Sequence, residues 1–169
     1  MIILSILITI ISYLIQGTIS NYVGYTYNSL SWVTTLYVLI ALLVLKSYYE
    51  NEKKYFALLI ITGFLVGISY TNAVFLNIIL FIISYYITKF FHFYLPFNYL
   101  TINISTLLGI FSYHILSFLF LISTGYDHFN LLMLLKILLH SIPMTIIYTT
   151  TLYFLVKTLF EKLNLREIK

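Results

Sequence analysis

Apolar residues run through this chain in long stretches, interrupted by a few short polar clusters, with neither strand-like alternation nor one-sided helical striping. The first stretch runs from about Ile2 to Thr18 and gives way to an uncharged, aromatic cluster of Asn21, Tyr22, Gly24, Tyr25, Tyr27 and Asn28. A second, from about Leu30 to Leu45, ends in the most polar segment of the chain, Lys46 to Lys54. From Tyr55 to Thr88 there is no charged residue in 34 positions. A single helix of that length would measure about 51 Å at 1.5 Å per residue, whereas a bilayer's hydrocarbon core is about 30 Å thick. The stretch therefore predicts two spans, about Tyr55 to Tyr70 and Ala73 to Phe90, hinged at the polar Tyr70-Thr71-Asn72. An aromatic loop with Pro96 follows, then a fifth span from about Tyr99 to Ser123 and a loop from Thr124 to Asn130. The last apolar stretch, Leu131 to Phe160, contains Pro143, which lacks a backbone donor and tends to kink or restart a helix. It predicts a short interfacial helix over Leu131 to His140 and a sixth span from about Ile142 to Phe160.

Composition names the solvent. Of 169 residues, 62% are apolar and 8% charged, against about 25% charged in an ordinary soluble domain. Such a chain cannot clothe a soluble fold, and the expectation is an all-α integral membrane protein: a compact bundle of about six transmembrane helices. Residues 1–160 form the six-span domain and 161–169 a short tail. The opening segment lacks the basic start and small-residue cleavage site of a signal peptide and reads as a retained first span. Cysteine is absent, so disulfides and thiolate chemistry are excluded.

The formal charge of +4 matters through its placement and does not point to nucleic acid. Six spans put Lys46, Lys53, Lys54, Lys89, Lys157, Lys162, Arg166 and Lys169 on one side and leave Lys136 alone on the other. By the positive-inside rule, both termini are expected in the cytoplasm and the chain in the cell membrane.

Candidate chemistry is sparse. Lys136 and His140 lie four apart on one helical face, either as a contact site for a partner or lipid headgroup or as a snorkelling pair at the interface. His114 sits mid-span, where an ionisable residue is a functional candidate by default; the alternative is a neutral imidazole hydrogen-bonded to a neighbouring helix. Asn77 and Asn103 read as interhelical hydrogen-bonding groups. Asp127 and His128 are adjacent, lack a third ligand at a useful spacing and read as a solvated loop. Gly63 and Gly67 have the small-xxx-small spacing that lets helices approach closely. Tyr22, Tyr25, Tyr27 and Trp32 read as an interfacial belt, with a ligand pocket as the alternative. Lys157, Lys162, Arg166 and Lys169 form a basic C-terminal end suited to anionic lipid or an acidic partner. No nucleophile–base pair, phosphate-cradling loop or helical metal motif occurs, so neither catalysis nor a cofactor is expected.

Several segments in order carry a family resemblance: Leu14-Ile-Gln-Gly-Thr-Ile19, then Gly63-Phe-Leu-Val-Gly-Ile-Ser-Tyr-Thr-Asn72 with Phe75-Leu-Asn-Ile-Ile-Leu80, then Leu134-Leu-Lys-Ile-Leu-Leu-His140 and Ile146-Ile-Tyr-Thr-Thr-Thr-Leu-Tyr153. Across nearly its whole length the chain resembles the rod shape-determining protein MreD family. Where such sequences often carry an aspartate near the end of the third span, this one has Tyr70, Thr71 and Asn72, and it has no proline near Trp32. The resemblance implies a non-enzymatic scaffold subunit of the bacterial cell-elongation complex. Its implied partners are an MreC-like protein, an MreB-like actin homologue, RodA and a class B penicillin-binding protein. A second reading is the substrate-binding S subunit of an energy-coupling-factor vitamin transporter, also a six-helix protein. Its Ala-x-x-x-Ala docking motif has no counterpart in the first span, which contains no alanine. An intramembrane enzyme built on His114 or His140 lacks the convergent groups an active site needs.

Overall fold

A computed structural model describes residues 2–23, 36–49, 51–71, 73–95, 98–125 and 131–162. Trp32, the Asp127-His128 pair, Arg166 and Lys169 lie outside the described residues, as does most of the aromatic cluster expected after the first span. The described chain is helical throughout: α1 (Ile2–Val23), α2 (Tyr37–Lys46), α3 (Glu52–Val66) continuing into a π-helical turn over Gly67–Thr71, α4 (Val74–Tyr94), α5 (Tyr99–Ser123) and α6 (Leu131–Lys162). Four segments are long and apolar enough to cross a membrane: Glu52–Tyr70, Val74–Tyr94, Tyr99–Ser123 and Leu131–Lys162. Ile3–Ile19 of α1 and Tyr37–Lys46 of α2 are shorter apolar helices.

Local chemistry fixes several ends. Asn51 and Asn98 occupy the positions before α3 and α5, and their side chains accept the backbone N–H of Lys54 at 3.2 Å and of Thr101 at 2.8 Å. Each thereby satisfies one donor that a helix start leaves orphaned. α5 stops at Thr124-Gly125, where Gly125 takes the left-handed conformation at φ 81° that favours glycine after a helix.

The helices run up and down. Tyr37 packs edge-on against Tyr148 at 4.8 Å and Tyr48 against Phe160 at 5.0 Å, so α2 and α6 are parallel. Tyr55 meets Tyr85 near one end of the α3–α4 pair, and Gly67 abuts Val74 at the other, so these two are antiparallel. Bonds from Thr88 to Ser105 and from Tyr113 to Asn77 set α4 antiparallel to α5.

The short α2 occupies the centre. Every residue from Leu36 to Leu45 is buried, and α2 packs against α1, α3, α4, α5 and α6. Its first turn is completed by another helix: the Gln16 side-chain oxygen of α1 accepts the Val38 N–H at 3.1 Å. The outer faces are apolar, with Ile3, Leu7, Ile10 and Leu14 exposed on α1 and Leu132, Leu139, Ile147 and Phe154 on α6.

One expected break is absent. Residues 131–140 are not a separate interfacial helix; α6 runs unbroken through Pro143 for 32 residues, about 48 Å by helical rise. Pro143 lies on an exposed face and removes only the bond its own N–H would make to Leu139. Around it, the Ser141 hydroxyl donates to the Leu138 carbonyl at 2.8 Å, and His140 Nδ1 donates to the Lys136 carbonyl at 2.8 Å. These bonds go to neighbouring carbonyls and not to that of Leu139, which Pro143 leaves without its helical partner.

Candidate functional site

Hydrogen bonds in the interior join helices to one another. Tyr113 of α5 donates to Asn77 Oδ1 of α4 at 2.5 Å, Asn103 Nδ2 of α5 donates to Thr150 Oγ1 of α6 at 3.1 Å, and Tyr148 of α6 donates to Ser12 Oγ of α1 at 2.8 Å. Tyr55 of α3 reaches the Leu42 carbonyl of α2 at 2.9 Å. Asn77 and Asn103 therefore both take the interhelical role. Not every buried hydroxyl is used: those of Thr106 on α5 and of Thr145 and Thr149 on α6 have no hydrogen-bond partner among the described residues. All three are fully buried. The Asn103–Thr150 bond sets the α5–α6 register, which places Thr106 axially between the levels of Thr145 and Thr149. Exposed Thr151 and Thr158 on the same helix instead bond back to Ile147 and Phe154, each at 2.8 Å.

The sequence-predicted residues are dispersed. His114 lies half-buried in the middle of α5, its ring edge-on to Tyr113 at 5.7 Å. Lys136 is exposed near the start of α6, and the His140 ring folds back to its backbone carbonyl rather than making a two-residue site with the ammonium. Gly63 and Gly67 are brought together with α4 of the same chain: a Cβ at Gly63 would stand 3.2 Å from Ile78 Cα, and one at Gly67 only 2.6 Å from Val74 Cα. Lys157 and Lys162 are exposed at the far end of α6.

A charged cluster that sequence reasoning did not single out is assembled at that same end. Lys46 closes α2, Glu52 opens α3, and Lys89 lies in the last turns of α4. Both ammoniums face one carboxylate oxygen, Glu52 Oε1, at 3.6 Å from Lys46 and 2.7 Å from Lys89. Two tyrosines line the cluster: Lys46 Nζ lies 5.7 Å from the ring centroids of Tyr55 and of Tyr85, and Lys89 Nζ 6.0 Å from that of Tyr85. A cation over an aromatic face is held by the ring quadrupole. One turn beyond Lys89, His92 Nε2 bonds Ser105 Oγ at 3.1 Å and ties α4 to α5. Between α2 and α3, burial pushes the Tyr48 phenol well above its ordinary pKa, with Tyr153 and Glu161 adding to the rise, so this tyrosine stays a neutral packing group. A sequence signal for the cluster existed: Lys46 and Glu52 in the polar loop and Lys89 at the end of the fourth span, all expected on one side.

Among the described residues, no three histidine or acidic side chains come together to hold a metal ion. No protein-family model matches the chain, and no curated protein or solved structure matches it.

Proposed function

We propose that this protein is a multi-pass membrane scaffold of the MreD kind, a non-enzymatic subunit of the bacterial cell-elongation complex that supports lateral peptidoglycan synthesis. In this reading α1 and α2 complete a six-span bundle in the cell membrane, both termini cytoplasmic. The observation that carries it is the form of the surface. The described helices present apolar outer faces, and Lys46, Lys53, Lys54, Lys89, Lys157 and Lys162 gather at one end while Lys136 stands near the other. Such an object has helix faces, short turns and a basic rim to offer, which suits organising partners rather than transforming a substrate. The chain-wide order of segments resembles MreD, and that resemblance supplies the partners: an MreC-like protein, an MreB-like filament, RodA and a class B penicillin-binding protein.

Depletion in the host tests it: rods are expected to widen and round up, and affinity capture from membranes to retain the MreC-like protein. A second reading has its own observation. The unpartnered hydroxyls of Thr106, Thr145 and Thr149 are groups a small polar solute would use, as in the substrate-binding subunit of a vitamin transporter. Normal cell shape on depletion, together with loss of uptake of one vitamin, would replace the scaffold by that reading.

A further inference from the structure

The charge at the basic end is unbalanced in a specific way. Lys46 is a nearly enclosed cation, its side chain only 13% exposed, and enclosed ammoniums are retained only when an anion or several acceptors surround them. Its carboxylate partner stands at 3.6 Å, beyond normal hydrogen-bond length. That partner, Glu52, has a side chain 55% exposed and already makes the closer contact to Lys89. Two ammoniums thus share one oxygen, and among the described residues the faces of Tyr55 and Tyr85 stand beside Lys46; these satisfy charge but accept no directed bond. Each ammonium carries three donors. Lys89 also bonds the Tyr85 hydroxyl; even so, among the described residues the cluster has donors to spare, converging at the tip of a glutamate that water can reach.

Its surroundings indicate where an anion would come from. Tyr86 and Phe93 share the Lys89 face of α4 by helical spacing and are 55% and 83% exposed, with Phe90 and Tyr94 beside them. Exposed aromatic rings next to cations are the signature of the headgroup level of a bilayer.

We propose that Lys46 and Lys89 form a binding site for a single phosphate-bearing anion, presented by an anionic lipid headgroup, with Glu52 as the resident counterion that the phosphate displaces. The phosphate oxygens take the position of Glu52 Oε1, bridge both ammoniums and give Lys46 a close acceptor. Glu52 turns into water from its place at the start of α3. The acyl chains run from Lys89 toward the middle of α4, past Tyr86, with Phe93 at the headgroup. The site rests on the reading of this end as a membrane surface but not on any role in cell elongation.

The test uses the full chain in nanodiscs of phosphatidylcholine, with phosphatidylglycerol added stepwise and bound lipid counted by native mass spectrometry. One tightly held phosphatidylglycerol per chain is expected. Lys89→Gln should weaken it at least about tenfold, the loss of one charge-assisted contact. Glu52→Gln should tighten it a few-fold by removing the competitor. Lys53→Gln/Lys54→Gln, which removes two neighbouring exposed charges, should leave it within about twofold, as expected of interactions screened by water and salt. Lys46→Gln should match Lys89→Gln; because the Lys46 stem is enclosed, the variants at the more exposed Lys89 and Glu52 decide the outcome if it does not fold. Inorganic phosphate titrated into pure phosphatidylcholine discs separates the sources: no binding at millimolar concentration assigns the site to lipid, whereas saturable binding lost in Lys89→Gln keeps the phosphate site and overturns its assignment to lipid. Equal binding by Lys89→Gln and the parent, weaker binding by Glu52→Gln, or an equal loss in Lys53→Gln/Lys54→Gln would overturn the site. Failure to insert into discs would instead remove the membrane reading itself.

Discussion

Replacing Gly67 by alanine tests how tightly the α3–α4 hairpin closes. Gly67 has φ −59° and ψ −44°, an ordinary right-handed helical conformation, so glycine is not needed there for backbone freedom; what it supplies is space. An added Cβ would sit 2.6 Å from Val74 Cα, 3.3 Å from its carbonyl oxygen and 3.4 Å from its carbonyl carbon. All three are backbone atoms, so no side-chain rotation relieves the clash. Comfortable carbon–carbon contact begins near 3.5 Å, so α3 and α4 must separate by about 1 Å at their closest point. Overpacking of this kind costs typically 1–3 kcal/mol, offset by up to about 1 kcal/mol from alanine's better helix propensity. The net loss is about 1–2 kcal/mol, roughly a five- to thirtyfold fall in the folded-to-unfolded ratio. Gly63 supplies the internal control. A Cβ there meets Ile78 Cα at 3.2 Å and two side-chain carbons at 3.5 Å, a strain of a few tenths of an ångström that the propensity gain cancels to within about 0.5 kcal/mol. Unfolding in mixed micelles of mild detergent and increasing dodecyl sulfate, followed by near-ultraviolet circular dichroism, measures both. A Gly67→Ala protein as stable as the parent, or a Gly63→Ala protein less stable than Gly67→Ala, would refute the packing argument.

Tyr113→Phe removes the hydroxyl that donates to Asn77 Oδ1 and should destabilise the bundle by about 0.6 kcal/mol, with about 1.7 as the upper bound for such bonds in a bilayer. A double-mutant cycle with Asn77→Leu should return that coupling, and zero coupling would show the bond to be idle. Alkaline phosphatase fused after Lys169 should be inactive and green fluorescent protein there fluorescent, while phosphatase inserted at Gly125 should be active; the reverse pattern would invert the assigned orientation.

Elements whose ends carry their own chemistry were legible in the sequence. α5 spans Tyr99–Ser123 as expected, because Asn98 caps one end and Gly125 supplies a left-handed turn just past the other. The break between the third and fourth helices falls at the one polar cluster in a long uncharged stretch. Its π-helical form over Gly67–Thr71 was not legible, since no local sequence preference marks such a turn. Pro143 misled in the opposite direction: proline tends to stop a helix, yet α6 continues through it on an exposed face, as proline is tolerated in apolar spanning helices. The Lys46–Glu52–Lys89 cluster joins residues far apart along the chain, so its side was legible but its convergence was not. His114 and the Lys136–His140 pair stood out because ionisable residues are rare in this sequence, and their positions on α5 and α6 followed from spacing alone.

A helix enclosed on every side has consequences for how this protein is made and divided. α2 has no face left over for lipid or for another protein, so any partner that grips the bundle does so through its neighbours, and changes within Val38–Leu45 reach a partner only by moving those neighbours. Nor can the chain be cut into autonomous halves. A fragment ending after α3 would leave this central post stripped of the α5 and α6 surfaces that cover it, and a fragment beginning at α4 would close around an empty axis. The sixth described helix is thus among those that seal the second, and α2 cannot be fully enclosed until α6 has been made.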